Sequence, residues 1–339
     1  MTDAALLGAS RDRLLRGASR HPLAAVCAEG LARCGAENGT RLALLVSGGG
    51  DSMALLLLVA AIRERSDPSL DSIAVLTVDH GLRPGARDEC AAALALAREL
   101  GIDRIECVRV KVDRGGNLLD RARAARYEAA RAFAERHRCA AVVAAHTADD
   151  RAESLLLGLR RGIGLASLTR LLPVREFADG TLPTILRPLL AVRRAELRDF
   201  LARLEVRWRE DPSNMLHDRG ALRSDPVAAA MAGEIAGGAT RVLDELAELV
   251  GFRDEVLAER LGAAATSLSR GDFDRLPGAL RAAALRSLVE RAGGFIAQAT
   301  LDRALAAVRQ RDRAPRVFEC AGSVELSIDA REVAARSLR

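Results

Sequence analysis

Lysine is almost missing from this chain: of its 51 basic residues only Lys111 is a lysine. A Walker-type phosphate loop needs G-x-x-x-x-G-K-[ST], and Lys111 has no such glycines before it, so P-loop nucleotide hydrolysis is excluded. Aromatic residues are also scarce, 3% of 339 positions, and Tyr127 and Trp208 are the single Tyr and Trp. Stacking of bases on aromatic platforms is poorly supported by that composition, and guanidinium planes would have to substitute. The six cysteines (27, 34, 90, 107, 139, 320) are scattered with no C-x-x-C pair. That spacing argues against a zinc site, an iron-sulfur cluster or a redox dithiol, and points to reduced structural thiols. The longest apolar run, Met53 to Ile62, is far short of the roughly 18 to 20 residues that cross a bilayer. At the N-terminus Asp3, Arg11, Asp12 and Arg13 interrupt the apolar residues, unlike a signal peptide. A cytoplasmic protein without membrane association is therefore expected.

What is present is an ordinary globular mixture, 49% hydrophobic and 29% charged. The net charge of +5 is concentrated in residues 151–230, which carry 14 basic against 10 acidic side chains. GC-rich coding accounts for the arginine bias itself, and a solvated mixed-charge surface accounts for the total. At this length two or three domains are expected.

From residue 41 to about 190 short apolar runs alternate with helical ones. Leu42–Val46, Ile73–Val78, Ile105–Val110 and Ala140–Ala145 are the apolar runs. Between them, 51–65, 86–100 and 118–137 have helical spacing. Continuous apolar strands separated by helices predict an α/β domain built on a doubly wound parallel sheet, Rossmann-like in kind. Residues 1–40 form N-terminal helices in this partition, 41–225 the catalytic domain and 226–339 a mainly helical C-terminal domain, whose tail from Val317 to Ile328 alternates like a strand. Ligands of such sheets bind beyond the carboxyl ends of the strands, so the loops after Val46, Val78 and Ala145 are expected to converge on one crevice.

Those loops hold the unusual residues. Ser47-Gly48-Gly49-Gly50-Asp51-Ser52 lies between a strand and a helix, where glycines allow close backbone approach and successive amides face an oxyanion. Asp51 would repel phosphate unless a divalent cation lay between them, which makes it a candidate Mg²⁺ ligand. His146, Asp150 and Glu153, spaced by four and three, share one helical face. Such a cluster suits recognition of a cation, coordination of magnesium, or removal of a proton from an amine, and an acid at a helix start also serves as a cap. Arg219 and Arg223 lie four apart and could neutralise phosphate oxygens.

Strand, S-G-G-x-D-S and helix in that order resemble the PP-loop ATP pyrophosphatases, which cleave ATP to AMP and pyrophosphate. Further stretches narrow the resemblance: Asp79-His80-Gly81-Leu82-Arg83, Asn117, Ala122-Arg123, Arg126-Tyr127, His146 to Glu153, Arg160 to Leu165, Arg187-Pro188-Leu189-Leu190 and Asp211-Pro212-Ser213-Asn214. Across residues 40 to 225 these look like the tRNA(Ile)-lysidine synthases, in a short form. The resemblance implies that ATP and Mg²⁺ bind at Ser47, Gly48, Gly49, Gly50, Asp51 and Ser52 with Asp79 and His80. It implies catalytic roles for Asp51, Arg126, His146, Asp150 and Glu153. It further implies that Asp150 and Glu153 hold and deprotonate L-lysine, while Arg219 and Arg223 contact lysine or tRNA. The implied partner is isoleucine tRNA with a CAU anticodon, gripped in part by the C-terminal domain; a second copy of the chain is left open.

The sequence departs from the family pattern at Leu119, where Glu is usual, at Gly220, where Asn is usual, and at Ala145, where His is frequent. Among rivals, a PP-loop tRNA thiolase normally depends on cysteine pairs, and amide-forming relatives usually bring a glutaminase domain. A non-enzymatic RNA-binding module would keep the loop but not need Asp51, Asp150 and Glu153.

Overall fold

The computed structural model describes residues 10–36, 40–66, 73–81, 85–110, 118–162, 168–169, 171–175, 184–209, 218–262, 265–310 and 314–338. Asn117, Leu82-Arg83, Ile163 to Leu165, and Asp211 to Asn214 lie outside these residues, as do the side chains of Leu119 and Arg219. The chain divides into two units, residues 1–160 with 170–243 and residues 161–169 with 244–339.

The first unit follows the expected alternation: α1 (Arg11–Arg20), α2 (Pro22–Arg33), β1 (Leu42–Leu45), α3 (Gly50–Ser66), β2 (Ile73–Asp79), α4 (Ala86–Glu99), β3 (Ile105–Arg109), α5 (Leu118–Arg136), β4 (Ala141–Val143) and α6 (Ala148–Arg160). Two further strands, β5 (Val174–Arg175) and β6 (Ile185–Leu186), lie outside the four apolar runs named from the sequence. Helices α7 (Arg194–Arg203) and α8 (Asp218–Ser224) follow, and α9 (Pro226–Leu261) begins in this unit. The sheet order is β3-β2-β1-β4-β6-β5, parallel except for β5. The order reverses direction at β1, so the loops after β1 and β4 leave neighbouring strand ends on either side of the switch point, where such sheets open a crevice.

Burial follows from composition. Every side chain from Met53 to Ala61 is buried, so α3 has no solvent face. It packs under the sheet with α1, α2 and α7 around it, in one core that includes Leu14, Cys27, Leu44, Leu56, Val75, Phe200 and Leu201. The opposite face of the sheet is covered by α5 through Ala130, Phe133 and Ala134 against Ala43, Leu76 and Val142. Alanine allows close approach elsewhere too: Ala148 and Ala152 of α6 meet Ala232, Ala236 and Ala239 of α9. No helix among the described residues is long and apolar enough to cross a membrane.

In the second unit, the rest of α9 is followed by β7 (Ser267–Ser269), α10 (Arg270–Arg275), α11 (Gly278–Arg291), α12 (Gln298–Arg309), β8 (Arg316–Cys320), β9 (Val324–Ile328) and β10 (Glu332–Ser337). The strand-like tail is one part of a four-stranded antiparallel sheet, β7-β10-β9-β8, so this region is helical with a sheet as its second layer. Val324, Leu326 and Ile328 face Leu285, Leu288, Leu301 and Ala304 across one core. Arg270 is buried here and fully engaged: it donates to Asp274 Oδ1 at 3.0 Å and to the carbonyls of Asp329 (3.1 Å) and Val308 (2.7 Å).

A Cβ added to Gly30 of α2 would lie 2.2 Å from the Pro188 carbonyl oxygen, so this glycine sets how closely the helix meets the segment after β6. Gly30→Ala is expected to cost about 2 kcal/mol through forced displacement of backbone. Urea unfolding followed by the fluorescence of Trp208, which belongs to this unit, should show a lower midpoint; an unchanged midpoint would contradict the close contact.

Candidate functional site

The loop after β1 is closed by its own side chains. Ser52 Oγ donates to the Gly49 carbonyl (2.9 Å), accepts from the Ser47 amide (3.1 Å) and lies 3.2 Å from Ser47 Oγ. Gly48 has φ +83°, and a Cβ there would stand 2.5 Å from the Glu89 carbonyl oxygen, so only glycine fits. The Gly48 carbonyl accepts from the Arg209 amide at 3.3 Å, and the Trp208 indole lies against Gly50. Trp208, the single tryptophan, thus lies between the core and the loop.

Asp51, Asp150 and Glu153 are brought together around two arginines. Arg194 Nε sits 3.3 Å from Asp51 Oδ2, Nη2 3.3 Å from Asp150 Oδ1, and Nη1 3.0 Å from Glu153 Oε1. Arg223 grips Glu153 with two bonds, Nε to Oε1 (2.7 Å) and Nη2 to Oε2 (2.8 Å), and reaches Asp150 Oδ1 at 3.3 Å. Bidentate, charge-assisted bonds of this kind are the strong ones. Glu153 is almost completely buried, and Asp51 is the most accessible of the three acids, with its side chain 25% exposed.

Asp150 does two jobs. Its Oδ2 accepts from the Thr147 amide (2.9 Å) and hydroxyl (3.1 Å), while the Asp150 amide faces Thr147 Oγ1 at 3.4 Å, a reciprocal cap at the start of α6. Asp150 therefore divides its oxygens, Oδ2 on the cap and Oδ1 on the two arginines. Asp149 serves the next helix: its Oδ2 accepts the Arg194 amide at 2.7 Å, fixing the first turn of α7.

Burial pushes Asp51 up to about 6, with Arg194 opposing the shift and Asp150 adding to it. For Arg194, burial alone would favour loss of the proton, but Asp150, Glu153 and Asp51 reverse this and hold it above its ordinary value.

A second group forms beside β4 and β6. Arg187 Nε donates to His146 Nδ1 at 3.2 Å and Nη1 to the Leu172 carbonyl at 2.8 Å. Tyr127 is hydrogen bonded to Arg187; burial would raise its phenol, but Arg123, Arg126 and Arg187 outweigh this and hold it below its ordinary value. Arg123 and Arg126 stand 5.2 and 5.6 Å from the Tyr127 ring centre. Arg126 thus lies with Tyr127 on α5. Asp79 ends β2, where Oδ1 accepts the Gly81 amide at 2.8 Å and Oδ2 lies 3.8 Å from Arg109 Nε; His80 follows, half-buried. Gly220 lies within α8, three residues before Arg223.

Sequence reasoning missed Arg194 and Arg187 as site residues. Arg194 left a signal: a cation in the first turn of a helix opposes the macrodipole and needs carboxylates to hold it. Arg187 left none beyond its motif. A magnesium ion fits the donor set at Asp51, since such ions are held by one or two carboxylates with nucleotide phosphates supplying other ligands. Among the described residues no group of three His, Cys, Asp or Glu side chains is arranged to hold an ion alone.

Residues 23–227 match the PP-loop domain family. The tRNA(Ile)-lysidine synthase of Nocardia farcinica is 36% identical over 274 residues, covering 79% of this chain and 80% of that protein. The namesake from Ruegeria pomeroyi is 42% identical over 183 residues, 54% of this chain and 42% of its own length. Against several such relatives the chain spans only about half of their length. Among solved structures, the U34-tRNA thiolase NcsA from Methanococcus maripaludis with its [4Fe-4S] cluster aligns with a TM-score of 0.51 at 18% identity, covering 69% of this chain and 80% of that one, a likeness of fold.

Removing Arg194 leaves Asp150 and Glu153 with Arg223 and takes from Asp51 the ion pair it makes with Arg194. Because Asp51 is already raised, its ionised form costs stability above about pH 6, and that cost disappears as pH falls toward its ordinary 3.8. Arg194→Met is expected to lose on the order of 3 kcal/mol at pH 8 and clearly less at pH 5. Thermal unfolding at the two pH values checks this; an equal loss at both would show that the arginine acts by packing alone.

Proposed function

The chain belongs to the tRNA(Ile)-lysidine synthase family, within the PP-loop proteins, and on that premise we propose that it ligates lysine to C2 of the wobble cytidine in isoleucine tRNA with a CAU anticodon. In this scheme ATP is bound by the loop of residues 47 to 52. The cytidine C2 oxygen attacks the α-phosphate and pyrophosphate departs. The lysine ε-amine then forms a bond to C2, AMP leaves with the former carbonyl oxygen, and the amine proton passes to a carboxylate.

One observation carries the proposal: Asp150 and Glu153 hold guanidinium groups next to the loop acid Asp51. A buried carboxylate pair that binds cations there can hold a substrate ammonium and, as C–N bond formation proceeds, accept its proton. Ser47, Ser52 and the loop amides orient phosphate oxygens, and the amino end of α3 adds partial positive charge. Mg²⁺ held at Asp51 would offset the triphosphate charge. Arg126 of α5 and His146 after β4 are the further catalytic residues of this reading, with Arg219 and Arg223 as the cations that meet phosphate or tRNA. The cytidine has to leave its stack to enter the crevice.

Purified protein with Mg²⁺ and α-labelled ATP should release AMP only with both lysine and the CAU-anticodon tRNA for full turnover, with lysine transferred to that tRNA. ADP as product, or AMP independent of tRNA, would overturn the proposal. Glu153→Gln should lower lysine transfer by about 10²- to 10⁴-fold while adenylation of the tRNA persists. The wild-type rate should fall as pH drops through about 6, where Asp51 gains its proton.

A further inference from the structure

His146 entered the sequence reading as one member of an acid-base cluster, but the structure gives it a partner that restricts what it can do. A guanidinium has five donors, no acceptor and a permanent charge, so the imidazole nitrogen that receives the Arg187 Nε–H must offer a lone pair. We infer that Arg187 is a positioning residue that locks His146 as a neutral imidazole protonated on Nε2, so that His146 works as a fixed hydrogen-bond donor and not as the general base. This rests on the proposed reaction only for what the donor serves: an anionic oxygen, either of the nucleotide phosphate or of the adenylated cytidine.

Three observations support the lock. Arg187 is itself immobilised, with its side chain 1% exposed, Nη1 on the Leu172 carbonyl, and Tyr127 hydrogen bonded to the same guanidinium. The fold sets the two residues side by side: Val143 of β4 pairs with Leu186 of β6, and Arg187 and His146 continue from those neighbouring strand ends. The charged groups acting on Arg187 include Arg123 of α5 and Arg175 of β5, with Tyr127 and Cys34 as titratable acids beside it, and Arg126 acts on Tyr127 in turn. A second proton on His146 would add positive charge beside Arg187, in a region those cations already crowd.

The test reads protons directly. With the five histidines labelled at nitrogen, two-bond ¹⁵N–¹H spectra of the full chain report each tautomer, and His146→Gln assigns the His146 signals. The expected result is an unprotonated Nδ1 and a protonated Nε2, unchanged between about pH 6 and 8, where a free histidine titrates. An Nδ1–H tautomer, or an imidazolium titrating near 6.5, would overturn the inference. Arg187→Met should release His146 to titrate, and Arg187→Lys, which keeps a charged donor, should restore part of the lock. If Arg187→Met does not fold, the wild-type spectrum alone decides. In the AMP-release assay, His146→Ala should lose about 10²- to 10³-fold, His146→Gln less, and both should keep the wild-type pH profile. Loss of a titrating limb in both variants would make His146 the base and overturn the inference. Wild-type protein that releases no AMP would sink the proposed reaction and leave the tautomer result standing.

Discussion

Three carboxylates cannot share a partly dry crevice unless cations lie between them, and in this protein Arg194 meets all three. Its guanidinium reaches the acid of the loop after β1 with one nitrogen and the two acids of α6 with the others. The mutual repulsion of Asp51 and Asp150 is thereby turned into a joint grip on one side chain. The arginine is held at its other end by the Asp149 carboxylate on its own amide, so the acid run of α6 both anchors and neutralises the first turn of α7. Three separate segments of chain, brought from positions 51, 150 and 194, are fastened at one point.

The rest of the unit makes that point stiff. Helix α3, buried on all sides, cannot rotate to relieve Asp51 at its first turn, and the Ser52 bonds fold the loop back on itself. Alanine-rich contacts between α6 and α9 leave little volume for α6 to shift. A parallel sheet places strand ends, and so their following loops, within side-chain reach of one another. The same principle sets Arg187 beside His146 one strand further along. Two arginine-centred groups therefore flank the end of β4: one gathers carboxylates able to hold an amine, and the other presents a ring nitrogen with a fixed proton.

Much of the architecture was legible because its signals are local. Apolar runs of strand length separated by helical spacing gave β1 to β4 and α3 to α5 to within a few residues. The strands β5 and β6 were not legible, since two-residue strands beside glycine and proline carry no periodicity. In the second unit the alternation of Val324, Leu326 and Ile328 was visible, whereas β7, three residues with only Leu268 turned inward, was not.

By itself the sequence determined the order of β1 to β4 and the helices between them, the strand-loop-helix that positions Ser47 to Ser52, and the helical face shared by Asp150 and Glu153, because these depend on spacing along one segment; His146, expected on the same face, precedes α6 and turns to Arg187 instead. Only the tertiary structure decided that Arg194 and Arg223 neutralise those acids, that Asp150 divides its oxygens between a cap and a cation, and that Arg187 dictates which nitrogen of His146 bears the proton. Each of these joins residues about 40 to 140 positions apart or depends on where a charge finds its counterpart in space. In an arginine-rich chain only the place of Arg194 in the first turn of a helix marks it locally, and nothing comparable marks Arg187, since burial is settled by the packing of other segments.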